Sequence, residues 1–283
     1  MSQDKNHVAA QPSLDDLILP GTPEQVADAY RTLAERAKTA QFGLLEDDVV
    51  VLDTETTGLS FKDCELIEIS AARLRGREVV ERFETFVDPG RPIPPEIQKL
   101  TGISQIDVAG APSPRDAVAA LAEFVGGQPV LAHNATFDRT FVEAVPGGAG
   151  VSDIWIDTLA LSRIALPRLR SHRLADMASA FGCVDALCGM WRIILCALTD
   201  LPAGLLGFLA GMHEEVDWAF RPVLSGLALA DEGVRFSLPA VRARLVASQE
   251  GHVRQDAQEL DGPCAAPSCE EVTRELGESG VAG

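Results

Sequence analysis

The chain has 283 residues, and its 42 Asp and Glu against 24 Lys and Arg leave a net charge of -18. Such a surplus of carboxylates repels a phosphate backbone, which excludes a nonspecific nucleic-acid coat and leaves only local contacts, with metal ions as counter-charge. Hydrophobic residues at 46% exclude a disordered chain and suffice for one catalytic-sized domain with appendages.

The six cysteines are scattered, and Cys183/Cys188 and Cys264/Cys269 lack the spacing of a zinc knuckle. With no secretory signal at the start, a reduced, cytoplasmic protein is expected. The apolar stretch Trp191 to Met212 is broken by Arg192, Asp200 and Pro202, so no membrane span is expected; it reads as a core helix, a turn and a second helix.

Residues 1–12 are polar. From Thr22 the run TPEQVADAYRTLAERAKTAQ opens with a capping-box pattern, Thr22 with Gln25 three later and Pro23 first in the helix, and predicts a leader helix. DDVVVLDTETTGLS begins with a β-branched run suited to a central strand. ELIEISAARLRGREVVERFETFVDPG predicts two more strands joined at Arg75-Gly76-Arg77.

PPEIQKLTGI predicts a short helix, and PSPRDAVAALAEFVGG a capped amphipathic one ending at Gly126-Gly127. The strand PVLAHN follows, then a helix from near Phe137, and VSDIWIDTLALSRIAL gives a further short strand and helix. Strands first, then alternation with helices, is the order of an α/β fold of the ribonuclease H-like type, a mixed sheet with flanking helices. From Val184 a stripe of Val184, Leu187, Trp191, Ile194, Leu195 and Leu198 predicts the closing helix. The expected organisation is a helical leader at 1–45, a catalytic domain at 46–199, and a helical tail or linker at 200–283. No phosphate loop ending in Gly-Lys-Ser/Thr is present.

Asp53 and Glu55 stand two apart on the first strand, so both project from one face and can share a cation. Side by side they repel each other unless a metal or base neutralises them; an exposed strand end with solvated acids is the alternative. In AHNATFDRTF a strand delivers His133 and Asn134, and Asp138 falls in the first turn of the next helix, within reach of that cation. Taken alone, Asp138 reads equally as an acid complementing a helix dipole. Oxygen-only ligands favour Mg2+ or Mn2+ over zinc.

VVVLDTETTGLS and LAHNATFD resemble the first and second motifs of the DnaQ-like (DEDD) 3'-5' exonucleases, and the resemblance runs over about residues 46–199. It implies two divalent ions held by Asp53, Glu55 and Asp138, with Asp53 bridging them. It also implies a pocket for the terminal nucleotide, a single-stranded DNA 3' end before RNA, formed by Thr56, Thr57, Gly58 and Leu59 and, by a looser similarity, Glu96 and Thr101.

The family's third motif, a histidine, four residues and an aspartate, is missing. His7, His172, His213 and His252 are followed five residues later by Pro12, Met177, Trp218 and Ala257, and His133 leads only to Asp138. His172 with Asp176 is the substitute base, although RLRSHRLADMASAFG resembles the segment upstream of that motif, and VDALCGMWRII the helix after it. A stretch is therefore absent between Gly182 and Val184, with Asp185 a stand-in ligand two positions out of step.

Arg163, Arg168, Arg170 and Arg173 form a basic cluster, read either as a phosphate-contacting edge or as a solvated helix and loop. Two functions follow: a metal-dependent exonuclease, or a pseudo-exonuclease that binds nucleic acid or acts as a scaffold without turnover. The helical leader and the tail EEVTRELGESGVAG are similar to the front of DinG-like exonuclease/helicases, which implies a helicase or polymerase as partner or fused domain.

Overall fold

The computed structural model describes residues 12–40, 42, 48–212 and 221–230. The chain divides into units spanning 1–241 and 242–283. The second unit lies outside the described residues, as do the segment HEEVDWAF and the polar tail after Ala247.

The first unit is built on a five-stranded sheet of order β3-β2-β1-β4-β5. Strand β1 (Val49–Thr56) is central, β2 (Leu66–Arg75) and β3 (Glu78–Phe86) form the antiparallel arm, and β4 (Val130–Ala132) and β5 (Trp155–Asp157) run parallel to β1. This mixed sheet with flanking helices is the ribonuclease H-like fold expected from the order of elements. Gly76, at a φ of 62°, makes the predicted turn between β2 and β3.

Alternation divides β1 between two faces. Val50 and Leu52 pack in a core with Ala117, Val118 and Leu121 of helix α4 (Pro114–Val125) and with Phe141 and Val142 of helix α5 (Ala135–Ala144). Full burial of each such side chain contributes roughly 1.5–3 kcal/mol. Helix α4 is capped by Ser113 and stops at Gly126 in the left-handed conformation, as its sequence predicts. Val51, Asp53 and Glu55 alternate onto the opposite face, where Val51 and Asp53 line a cleft together with the first turn of helix α8 (Ala186–Leu198).

Helix α5 begins at Ala135, two residues before the expected start. Asn134 takes φ 74°, so β4 turns directly into the helix. Helix α8 begins at Ala186 with Asp185 as its N-cap, and Val184 stands outside it, fully exposed rather than in the apolar stripe. Leu187, Trp191, Ile194, Leu195 and Leu198 are buried as predicted. After Pro202 comes the expected second helix, α9 (Ala203–Gly211). Among the described residues no single helix is long and apolar enough to cross a membrane.

The leader is built into this unit. A short helix α1 (Leu14–Leu17), closed by a Ser13/Asp16 capping box, leads to an isolated bridge between Ile18 and Leu169. Helix α2 (Glu24–Thr39) starts two residues after Thr22 and has no side-chain cap; the Thr22 hydroxyl instead donates to the Leu19 carbonyl at 2.6 Å and accepts from Arg168 Nε at 3.2 Å. The capping-box expectation fails because this tertiary contact takes the hydroxyl. Arg192 of α8 donates to the Ala37 and Ala40 carbonyls, both at 2.8 Å, and lies over the Phe42 ring.

Candidate active site

The two acids of the first motif project from one face of β1, as alternation requires. The register extends that face: Asp53 lies opposite Ser70 of β2, which lies opposite Glu84 of β3, while Glu55 lies opposite Glu68. The third acid arrives by another route. Strand β4 pairs with β1 only at Val50 and Val51, so the edge of β1 is open beyond them. Asp138 of α5 fills that edge, its Oδ1 accepting the Thr54 amide at 3.0 Å and the Thr54 hydroxyl at 2.8 Å.

The electrostatics show acids crowded without compensation. Burial raises Asp53, although its carboxylate reaches solvent through the open mouth of a cleft. Glu55 is raised by burial and then by the charges of Asp53 and Glu68. Glu68 is raised by burial, Asp53 and Glu84. Asp138, only 3% exposed, is pushed up to about 7 by burial and secondarily by Asp53, against the Thr54 hydroxyl, which favours its charged form.

All-carboxylate oxygen donors fit Mg2+ or Mn2+ in chemistry, and the raised acids are the kind of site a cation relieves. Their convergence is nevertheless partial. Among the described residues no three Asp, Glu, His or Cys side chains stand together as a ready metal cage. One oxygen of Asp138 is held by Thr54.

The loop after β1 is rigidly pinned. Thr57 donates its amide to the Glu65 carbonyl at 2.8 Å and accepts the Glu65 amide on its hydroxyl at 2.9 Å. The Thr56 hydroxyl donates to the Gly58 carbonyl at 2.6 Å. A Cβ at Gly58 would stand 2.8 Å from Cys64 Sγ, so only glycine fits there without a shift. Leu59 projects from this pinned loop, 88% exposed.

Residues 50–185 match the RNase_T family, described as exonucleases. These residues form a DnaQ-like exonuclease domain. The match ends at Asp185, the N-cap of α8. Over 139 residues the chain is 41% identical to the PolC-type DNA polymerase III of Caldanaerobacter subterraneus subsp. tengcongensis, covering 48% of this chain and 10% of that protein. It is 34% identical over 165 residues to the PolC-type DNA polymerase III of Bacillus cereus, covering 57% and 11%. The chain thus spans about a tenth of the length of these curated relatives. Among solved structures, exonuclease X in complex with 5' overhanging duplex DNA superposes with a TM-score of 0.43 at 24% identity, over 54% of this chain and 91% of that one.

The other residues singled out in the sequence take different places in the exonuclease domain. Glu96 is exposed in the first turn of helix α3 (Pro95–Thr101). The Thr101 hydroxyl is spent inside that element, donating to the Ile97 carbonyl and accepting the Ile103 amide. His172 lies between helices α6 (Thr158–Ala165) and α7 (Leu174–Phe181); its Nδ1 meets the Ser162 hydroxyl at 3.0 Å and its carbonyl lies 2.8 Å from His133 Nε2. Asp176 accepts the Ser171 hydroxyl at 2.6 Å. Neither His172 nor Asp176 lines the cleft beside Asp53.

Asp185 does line that cleft, together with Asp53, Ser70, Arg82, Glu84 and Leu174. Of the basic cluster, Arg168 is turned to the leader through Thr22, and its amide donates to the Tyr30 hydroxyl. Sequence reasoning missed Glu68, Glu84 and Arg82, whose positions follow from cross-strand register; the signal was the IEIS run, which puts an acid between two buried isoleucines.

Proposed function

We propose that the exonuclease domain removes nucleotides from the 3' end of a nucleic acid, single-stranded DNA before RNA, through Mg2+ or Mn2+ ions held by Asp53, Glu55 and Asp138. The observation that carries this reading is the geometry of three acids on an exonuclease-family frame, Asp53 and Glu55 on one face of β1 and Asp138 at its open edge, with the Asp53 charge raising both of the others. When bound, such ions would supply an activated water and a stabilised leaving oxygen.

The chain's own residues would do the rest. Asp53 and Glu55 present oxygens from one strand face, and Asp138 approaches from the sheet edge. The pinned Thr56–Leu59 loop offers backbone groups to the terminal nucleotide and the Leu59 side chain to its base. Among the described residues no histidine lines the cleft as general base, a role that contributes typically 10²–10⁴-fold, so slow turnover is expected. The relatives, PolC-type DNA polymerases, support work beside a polymerase; the DinG-like resemblance supports a helicase instead.

A second reading is a nucleic-acid-binding module without turnover. It is favoured by the engagement of His172 with Ser162, away from the cleft. A 5'-labelled single strand incubated with manganese separates the two. Stepwise shortening from the 3' end, lost in Asp53→Asn, supports the exonuclease; retained binding with an intact strand supports the module.

A further inference from the structure

The cleft beside Asp53 contains its own cation. Arg82 of β3 donates Nη2 to Asp185 Oδ2 at 2.9 Å, joining the edge strand to the N-cap of α8 across 103 residues of sequence. Arg82 lies opposite Ala72, one step along the same sheet face from the Asp53, Ser70 and Glu84 row. The pair, Asp53 and Glu84 thus line one cavity wall to wall.

Each oxygen of the Asp185 carboxylate has one partner: Oδ1 accepts the Cys188 amide at 3.4 Å as the cap of α8, and Oδ2 takes the guanidinium. Burial acts to raise Asp185, yet the hydrogen bond from Cys188 and the Arg82 charge hold it below the usual carboxylate range. On the same face Asp53, Glu55 and Glu68 are shifted the opposite way. One acid of the cleft is therefore compensated internally, and its neighbours are not.

We propose that Arg82 is a built-in counter-ion that competes with a divalent cation for Asp185, so that Asp185 joins the ion-binding acids only when the Arg82 pair opens. This rests on the metal reading above and adds the residue that limits it. Two charges compete for one carboxylate, and a guanidinium inside the cleft also repels an incoming ion. The pair is half-exposed at its arginine end, so the competition is of moderate size and can be released by substitution without emptying a core position.

The test is Mn2+ binding by titration calorimetry to the full chain, in wild type and in Arg82→Gln, Arg82→Lys, Asp185→Asn and the Arg82→Gln/Asp185→Asn double variant. Melting curves in chelator confirm that each is folded. Arg82→Gln is expected to bind Mn2+ roughly fivefold more tightly, the scale of a half-exposed ion pair. Arg82→Lys should stay near wild type, and Asp185→Asn should cancel the gain. Wild type and Arg82→Gln binding Mn2+ equally, or a gain that persists in the double variant, overturns the role of Arg82 and leaves the metal site standing. Absence of Mn2+ binding in every variant overturns both.

Discussion

A single carboxylate oxygen of Asp138 accepts two hydrogen bonds from Thr54, one from its amide and one from its hydroxyl, at the point where β4 has ended and β1 has no strand beside it. The third acid of the site therefore also completes the sheet edge. Burial disfavours the charged form of Asp138 while the two hydrogen bonds from Thr54 favour it, and burial outweighs them.

The opposition makes stability depend on pH. Asp138 has its folded pKa raised to about 7 from an ordinary carboxylate value. The folded state thus holds the proton more tightly, and its stabilising contribution is complete below about pH 4 and lost as pH rises through about 7. Asp138→Asn keeps the acceptor oxygen and removes the charge. In chelator at pH 8 it should stabilise the protein by up to about 4 kcal/mol; at pH 3.5 the gain should vanish. Urea unfolding at the two pH values checks this, and equal effects at both would contradict the buried-charge account.

Thr54→Val removes the hydroxyl donor and keeps the amide. A hydrogen bond to a charged group contributes about 1.5–3 kcal/mol, so a loss of that order is expected at pH 8. The loss should shrink in the Asp138→Asn background, where the acceptor is neutral. Additive effects in the double variant would mean that the two side chains do not interact in solution.

Arg192 ties the leader to the closing helix through the Ala37 and Ala40 carbonyls and the Phe42 ring. Arg192→Ala removes bonds to carbonyls at the end of α2 as well as a stacking contact, and should lower stability by about 2–3 kcal/mol. An unchanged melting temperature would mean that the leader does not help to hold the unit together.

The missing histidine predicts a gain of function. Inserting a histidine, four residues and an aspartate between Gly182 and Val184 lengthens an exposed link between α7 and α8, where Val184 packs against nothing. Single-strand degradation with magnesium should rise by about 10²-fold or more if a base is what turnover lacks. Rapid degradation by both forms would instead point to His172 as the base.

Much of this was legible in the chain. The turn at Arg75-Gly76-Arg77, the caps at Ser113 and Gly126, and the shared face of Asp53 and Glu55 follow from local periodicity and turn chemistry. What local reading misses is set by distant pairing. Glu68 and Glu84 reach the site only through the β1-β2-β3 register, and Thr22 leaves its helix-capping role because Arg168 claims its hydroxyl. Asp185, two positions out of step in sequence, still reaches the cleft because it caps α8 and Arg82 binds it from β3.

The central claim is that Asp53 is the pivot of a divalent-cation site, and its most direct test is the melting temperature with and without millimolar manganese in wild type and Asp53→Asn. A ligand bound only by the folded state stabilises it by mass action. The wild type should melt several degrees higher in manganese and Asp53→Asn should lose most of that shift; a wild type equally stable with and without the ion would contradict the claim.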